Sequence, residues 1–350
     1  MNLSDKFAAP SRHRRLAVAS LAIGLVLGLD IGTGLTANTA WAQQASRSAV
    51  AAYPTKPVTL LVPQTAGGTN DFVARVLAAK LADITQQGFV VENKPGAGGN
   101  VGTQFAARAP KDGYTLLVTI NSAMAINPAL YKTPGFDPVK DFVPSGLIAT
   151  VPNVLVVNSA APYGNLEAYI KAARAAPNTI QYASAGNGTL NHLLGEMLSL
   201  STGIKLQHIP YKGVAPALND ILGGQVSGGF ASLPSALPHI KSGKLRALGV
   251  SGAKRSPAAP DIPAIGETVS GFGAELWVAV FAPAGTPDDV TRAMEALLAK
   301  ALSDTELQAK LAGNGAELAK PTYGKALAKV LREDISKWDV MVKASGAKVD

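Results

Sequence analysis

The chain has 350 residues, of which 47% are hydrophobic and 16% are charged. These proportions are typical of globular proteins and exclude a largely disordered chain. The formal net charge of +8 is spread along the sequence without a cluster of basic and aromatic residues, so it does not predict nucleic-acid binding. Cysteine is absent, which excludes disulfides, thiolate metal sites and a lipidated cysteine anchor.

The N-terminus has the pattern of an export signal. Three arginines between residues 12 and 15 precede an apolar run over residues 16–29, and the small-residue motif AWA ends at residue 42. Asp30 ends the apolar run before the roughly 20 residues that a membrane-spanning helix needs. We therefore predict a signal peptide over residues 1–42, cleavage near Gln43, and a mature protein free outside the cytoplasm. The Sec route fits best, although the paired arginines leave twin-arginine export open.

From Tyr53 onward, short β-branched runs alternate with helical patterns. The first series predicts strands over 58–63, 89–93 and 114–120, with helices starting at about Thr69 and Asn100. The second series predicts helices over 166–176, 189–201, 215–223 and 233–242 and strands over 179–184, 205–211, 225–231 and 245–250. This alternation is typical of parallel sheets with flanking helices.

Two such series in one exported chain predict an α/β fold of two lobes, in which each lobe is a mainly parallel sheet flanked by helices and a cleft lies between the lobes. A Pro/Gly/Ala-rich stretch over 251–273 leads to a strand-like run and to helices near 288–302 and 321–344, which we expect to return to the first lobe. The predicted lobes are residues 53–150 plus 275–350 and residues 151–274, with crossings near 147–157 and 272–282.

The stretch YASAGNGTLNHLLGEML, residues 182–198, reads as a strand end, a loop of small residues and a helix start. A helix start exposes backbone N–H groups and the positive end of the helix dipole, so such a loop can receive an anion without lysine or arginine. The alternative is an ordinary glycine-rich strand-to-helix turn. Ligands of open α/β sheets bind at loops of this kind, at the carboxyl ends of the strands.

Motifs for enzyme chemistry are incomplete. Gly96 and Gly98 have the spacing of a dinucleotide fingerprint, but Val101 stands at its third glycine position, and the sequence contains neither a phosphate loop nor a G-x-S-x-G elbow. His192, His208 and His239 lack metal-ligand spacing. We therefore predict no catalytic residues, no metal and no cofactor, with His208 structural, His239 at the surface and His192 either near a ligand or packed in its helix.

A run of motifs in this order resembles the periplasmic solute receptors of tripartite tricarboxylate transporters, the Bug receptor family. The resemblance extends from about Tyr53 to the C-terminus. The segments that carry it include YPTKPVTLLVP, GGTNDFVARVLAAKL, VVENKPGAGGNVGTQ, VPNVLVVN, YASAGNGTLNHLLGE, PYKGVAPALNDILGGQV and FAPAGTP.

The resemblance implies a periplasmic receptor with the two-lobed periplasmic binding protein fold. It also implies that the protein is not an enzyme, closes on a small carboxylate-bearing solute and delivers it to membrane permease subunits. We expect it to act as a monomer. The family pattern implies that one carboxylate is held between two loops. Their residues are Ala66, Gly67, Gly68 and Thr69 in the first lobe and Ser184, Ala185, Gly186, Asn187, Gly188 and Thr189 in the second.

Four further residues near the predicted cleft have either a ligand contact or a structural role. Asn121 and Ser122 follow the third strand, and Tyr211 and Lys212 follow the strand over 205–211; ligand contact is left open for both pairs. The chain departs from the family pattern at residues 64–66 (Gln-Thr-Ala) and at Ala231 and Ser232. These departures, a loss of bulk and of a carboxylate, leave the identity of the solute open.

Two rival readings remain. The same fold can serve as a ligand sensor that docks a signalling partner in place of a permease. An exported hydrolase or lyase is the rival of a different class, and turnover of a carboxylate ester or amide that is lost in His192→Ala would support it.

Overall fold

The computed structural model describes residues 53–347 and 349, so the predicted signal peptide and its cleavage site lie outside the described residues. The described part contains ten strands and ten α-helices. The strands are β1 (Val58–Val62), β2 (Phe89–Asn93), β3 (Thr115–Ile120), β4 (Phe142–Asn158), β5 (Gln181–Ser184), β6 (Gln207–Pro210), β7 (Gly228–Ser232), β8 (Leu245–Val250), β9 (Glu275–Pro283) and β10 (Glu317–Leu318). The helices are α1 (Thr69–Thr85), α2 (Asn100–Ala107), α3 (Asn127–Leu130), α4 (Leu166–Ala175), α5 (Leu190–Thr202), α6 (Val214–Leu222), α7 (Leu233–Lys241), α8 (Asp288–Leu302), α9 (Thr305–Gly313) and α10 (Gly324–Ser345).

The strands form two half-sheets that share β4. In the first half-sheet, β2, β1 and β3 are parallel neighbours, β9 pairs antiparallel with both β3 and β4, and β10 pairs with β4. In the second half-sheet, β6, β5 and β7 are parallel neighbours, and β4 pairs antiparallel with β7 and β8. The predicted α/β fold of two sheets flanked by helices is therefore confirmed. The lobe boundaries at 150/151 and 274/275 stay a prediction.

Strand β4 changes partners part-way along its length. Its residues up to Pro152 pair with β9, whereas those from Asn153 onward pair with β7 and β8. Prolines within FVPSGLIATVPNVLVVN argue against a long strand, because proline cannot donate to the ladder. The first proline is tolerated at a register shift between Pro144 and Gly146, and Pro152 stands where the pairing with β9 ends. This is why the sequence predicted only a crossing near 147–157 here and not the strand β4.

The C-terminal helix α10 packs on the cores of both half-sheets. Leu327 and Leu331 belong to a buried cluster that includes Phe281 of β9. About two to three turns later, Trp338 and Val342 belong to the cluster that covers the second half-sheet. The expectation that the last helices return to the first lobe stays a prediction, and the apolar face of α10 continues past the first core.

Other local differences concern short elements. The stretch INSAMAINP, which reads as a loop, forms a π-helical turn over Ser122–Ile126 followed by α3. Helix α9 begins at an Asp304 cap, whose side chain accepts the Leu307 N–H at 2.9 Å, and was not predicted. Within residues 53–347, no helix is long and apolar enough to cross a membrane.

We predict that Gly195→Ala destabilises the fold. Alanine normally stabilises a helix interior relative to glycine, by about 0.5–1 kcal/mol. Here a Cβ at position 195 would overlap the ring of Tyr182, which is fully buried on β5. Overpacking of this kind costs about 1–3 kcal/mol.

Urea unfolding followed by circular dichroism measures the free energy of unfolding. Gly313→Ala, in α9 with open space around its Cβ position, is the matched control and should lose no stability. A Gly195→Ala variant as stable as its parent contradicts the packing described.

Candidate functional site

A cavity of about 300 Å³ lies between loops of the two half-sheets. The first half-sheet contributes the loops that follow β1, β2 and β3, and the second contributes those that follow β5 and β6. Of the lining residues, Lys212 alone carries a formal charge. The lining is Pro63, Gln64, Thr65, Pro95, Gly96, Gly98, Gly99, Ile120, Ser122, Ala185, Thr189, Leu190, Asn191, Lys212, Gly213 and Leu276.

The Gln64 side chain is oriented by a chain of amide contacts. Asn70 Nδ2 donates to the Val118 carbonyl at 3.0 Å and also to Gln64 Oε1. Because a carbonyl can only accept, this arrangement fixes which atoms of both amides are donors. Gln64 Nε2 is left enclosed and without a protein partner, close enough to Gly99 that a Cβ there would lie 2.9 Å away.

The start of α1 has its own counter-ion. Asp71 Oδ2 accepts the Gly67 N–H at 2.9 Å and Arg75 Nε at 3.0 Å. Burial raises the pKa of Asp71, but the hydrogen bonds from Arg75 and Gly67 outweigh that effect and hold this pKa below its ordinary value. Asp71 therefore stays ionised, and its charge is balanced by Arg75. A carboxylate paired in this way repels a nearby anion less than an unpaired one would.

The remaining first-lobe candidates lie beside the cavity. Ala66, Gly67, Gly68 and Thr69 follow the cavity residue Thr65 but are not part of the lining. Thr69 Oγ1 lies 3.4 Å from Ser232 Oγ, so the start of α1 touches the second half-sheet there. Ala231 is buried at the end of β7, and Ser232 Oγ bonds with Ser235 Oγ at 2.8 Å.

The second-lobe loop uses several of its own backbone groups internally. Gly186 N donates to Ser184 Oγ at 3.0 Å, and Gly188 N donates to His192 Nδ1 at 3.1 Å. Thr189 Oγ1 donates to the Gly186 carbonyl at 2.7 Å. The Thr189 N–H donates to the same carbonyl at 3.3 Å, so three of the N–H groups that the sequence offers to an anion are already bonded. The exposed Asn187 side chain lies outside the cavity lining, whereas Ala185 and Thr189 are part of it.

Behind this loop, two imidazoles stack with their centroids 4.0 Å apart, those of His192 and His208. His208 Nε2 lies 2.7 Å from Ser184 Oγ, and the Tyr182 ring stacks on its other side. Burial lowers the pKa of His192 to about 4, and burial together with the neighbouring imidazole lowers that of His208 to about 3. Both rings are therefore neutral at pH 7, as the acceptor role of His192 Nδ1 requires. His192 supports the loop and does not line the cavity.

The other candidates are divided between the cavity and the protein interior. The Tyr211 hydroxyl donates to Asp220 Oδ2 at 2.6 Å and turns away from the lining, while Lys212 is exposed and lines the cavity. Asn121 is buried and donates to the Glu275 carbonyl at 2.8 Å. Its neighbour Ser122 lines the cavity.

Of the predicted site residues, the structure therefore brings Ser122, Ala185, Thr189 and Lys212 to the cavity. It adds Gln64, Asn191 and the glycine loop over 96–99, which the sequence showed only as an incomplete dinucleotide fingerprint. Gln64 was visible as a departure from the family pattern. Nothing in the sequence pointed to Asn191 as a site residue, because the direction of its side chain depends on contacts with the distant strands β4 and β7.

The Ser184–His208 contact has the donor and acceptor types of a nucleophile and base, but not their accessibility. Ser184 is fully buried, so its hydroxyl cannot reach a substrate, and the low pKa of His208 makes it a weak base. No group of three His, Asp or Glu side chains within the described residues could hold a metal ion.

Comparison with known proteins gives the family. The family model for the tripartite tricarboxylate transporter family receptor, TctC, matches residues 73–347. The chain is 36% identical over 301 residues to the protein BugT of Bordetella pertussis, an alignment that covers 85% of this chain and 91% of BugT. The chain therefore belongs to the TctC family of solute-binding receptors.

Two similar solved structures come from Rhodopseudomonas palustris. One, solved with adipate, is 34% identical, has a TM-score of 0.79, and is aligned over 85% of this chain and 99% of its own. The other, MatC with bound malate, is 29% identical, has a TM-score of 0.75, and is aligned over 83% of this chain and 100% of its own. Both ligands are dicarboxylates.

We predict that acidification weakens the fold through the stacked histidines. An unfolded histidine titrates near pH 6.5, whereas the pKa values of His192 and His208 in the fold are about 4 and about 3. Between these values the unfolded chain binds more protons, so the free energy of unfolding falls as the pH drops from about 6.5 towards 4.

Urea unfolding at about pH 7, 5.5 and 4.5 measures this loss, which is expected to be smaller in His192→Asn. An asparagine Oδ1 can accept the Gly188 N–H without titrating. His239→Ala, in α7 and outside this cluster, should keep the slope of the parent protein. Equal slopes for the parent and His192→Asn contradict the assignment.

Proposed function

We propose that the chain is an exported receptor that captures a small carboxylate-bearing solute in the cavity between its two half-sheets. The single observation that carries this proposal is the cavity itself, where polar loops from both half-sheets meet and Lys212 is the one charge in the lining. Relatives of the same family have been solved with adipate and with malate, which supports a carboxylate ligand.

The anion is held by a combination of dipoles and one cation. Thr189 caps α5, so a ligand in the cavity lies near the positive end of that helix dipole. Lys212 and the hydroxyl of Ser122 add donors. Charge-assisted hydrogen bonds contribute about 1.5–3 kcal/mol each, so three of them approach the roughly 8 kcal/mol of micromolar binding.

The solute would then be delivered to membrane permease subunits, in keeping with a receptor of a tripartite tricarboxylate transporter. Binding favours the state in which both half-sheets contact the solute, because only that state makes all the contacts. A signalling partner in place of a permease would use the same solute-bound state. The hydrolase reading has little support, since the Ser184–His208 pair is closed to substrate.

A thermal-shift screen tests the proposal. Residues 43–350 are unfolded and refolded to remove carried-over ligand and then screened against mono-, di- and tricarboxylates, aromatic acids, amino acids and uncharged amides of matching size. A solute at a hundredfold excess over its dissociation constant stabilises the fold by about 2.7 kcal/mol. A selective shift with one class of carboxylate is the expected result. Shifts with the amides equal to those with the acids contradict a carboxylate site.

We predict that Lys212→Gln weakens binding of the best carboxylate about tenfold and flattens its dependence on salt, because the variant removes the one charge in the lining. Isothermal titration calorimetry at low and high ionic strength measures both effects. Lys205→Gln removes an exposed lysine of the same lobe that does not line the cavity, and it should bind like the parent. Equal losses in the two variants contradict a direct contact.

A second prediction tests the start of α1. Gly68 has φ −81°, which proline can adopt, and its N–H has no partner among the described residues. Gly68→Pro removes this donor and should weaken binding about tenfold or more, whereas Gly68→Ala keeps the donor and should bind nearly as well as the parent. Gly186 is unsuitable for the same test because its φ is +127°. Parent-like affinity of a folded Gly68→Pro variant, measured by calorimetry, excludes the N–H of Gly68 from the site.

A further inference from the structure

We propose that the solute carries a hydrogen-bond donor in addition to its carboxylate, and that Asn191 selects for it. The donor is a hydroxyl or an amino group, so the solute class is hydroxy or amino carboxylates. This inference rests on the proposed function, because it concerns the same cavity.

The Asn191 side chain is held in one orientation by its surroundings. Its Nδ2 donates to the Phe230 carbonyl at 3.0 Å and to Asn153 Oδ1 at 2.7 Å. A backbone carbonyl has no hydrogen to give, so the atom of Asn191 that faces it must be the nitrogen. Both amide hydrogens are then bonded inside the protein, and Oδ1 is the remaining polar atom.

The reverse orientation would bring two acceptors together. With the amide turned over, Asn191 Oδ1 would face the Phe230 carbonyl, and the hydrogen bond between them would be replaced by repulsion. Turning the Asn153 amide as well would not help, because the Phe230 carbonyl stays an acceptor. The Phe230 carbonyl on β7 therefore fixes the amide orientation, so the polar atom that Asn191 leaves free is its acceptor oxygen Oδ1.

Asn191 is half-buried at the start of α5 and lines the cavity. No donor among the described residues bonds to its Oδ1, and this oxygen is not one of the enclosed atoms without partners. The hydroxyl of Thr189, which also lines the cavity, already donates to the Gly186 carbonyl. Asn191 therefore adds an open acceptor to a site that otherwise offers donors to an anion.

An acceptor discriminates between solutes by what it cannot bind. It repels an ionised carboxylate oxygen, and it loses its hydration without compensation when a methylene group is placed against it. A hydroxyl or an ammonium group restores the hydrogen bond. A site that hydrogen-bonds a polar group of its ligand can reject the analogue that lacks it strongly, because the site is then left unpaired.

Matched solutes test this directly. Calorimetry on the refolded protein compares unsubstituted acids with their hydroxy and amino counterparts: propionate, lactate and alanine; succinate, malate and aspartate; glutarate, 2-hydroxyglutarate and glutamate. Within the best-binding carbon skeleton, a donor-bearing member is expected to bind at least about tenfold more tightly than the unsubstituted acid, as one hydrogen bond implies.

The variant Asn191→Leu should remove this preference. Its affinity for the donor-bearing solute is expected to fall to within about threefold of that for the unsubstituted acid, whose own binding changes little. A merely structural role would weaken both solutes alike. Asn158→Leu is the control, because Asn158 Nδ2 also bonds two backbone carbonyls, those of Ile221 and Leu222, but Asn158 does not line the cavity. It should keep the preference.

The outcomes separate this inference from the proposed function. Equal affinities within every set of solutes overturn the role of Asn191 and leave carboxylate binding intact. If no carboxylate in any set binds, the proposed function fails and the inference falls with it. If thermal melting shows that Asn191→Leu does not fold, the comparison of solutes with the parent protein decides alone.

Discussion

The arrangement of the cavity depends on the pairing of β4 with two sets of partners. β4 is one continuous strand that pairs with β9 in the first half-sheet and with β7 and β8 in the second. The loops at the carboxyl ends of β1 and β3 and those at the ends of β5 and β6 are thereby brought to one cavity. Hydrogen bonds along 17 residues of strand hold this geometry more firmly than a flexible linker would.

Beside the cavity, the Asp71 carboxylate is paired and both buried imidazoles are neutral. Asp71 is bonded to Arg75 and to the Gly67 N–H, and the two stacked histidines are neutral and support the loop over 184–189. Lys212 is the charge left over in the lining. This balance allows an anion to enter without a competing carboxylate, and it limits how many negative charges the cavity can hold at once.

Helix α10 and strand β4 contribute to the cores of both half-sheets, as does the π-helical turn with Met124 and Ile126. Trp277 Nε1 donates to Asp334 Oδ2 at 2.8 Å, which ties α10 to β9 between the two clusters. Burial raises the pKa of Asp334, although the hydrogen bond from Trp277 opposes this. Movement of one half-sheet relative to the other would therefore have to involve both β4 and α10.

The sequence was sufficient for the features that depend on local patterns. Alternation of β-branched runs and helical stretches predicted the α/β class, and strand 245–250 and helix 288–302 have the predicted bounds. The π-turn over Ser122–Ile126 and strand β4 could not be predicted, because tertiary pairing overrides the local preference of proline and small residues there. Asn191 could not be predicted for the same reason, because its orientation is set by the Phe230 carbonyl, 39 residues away. Lys212 was visible in the sequence, but that it is the one charge of the cavity follows only from the fold.

The most direct test of this account is a crystal structure of the refolded protein with the carboxylate that gives the largest thermal shift. The account predicts that the solute fills the cavity between the half-sheets, with a carboxylate oxygen within about 2.7–3.2 Å of donors that include Lys212. A solute bound elsewhere, for example in the surface groove formed by Glu167, Lys171 and Arg174, with the cavity unchanged, would contradict it.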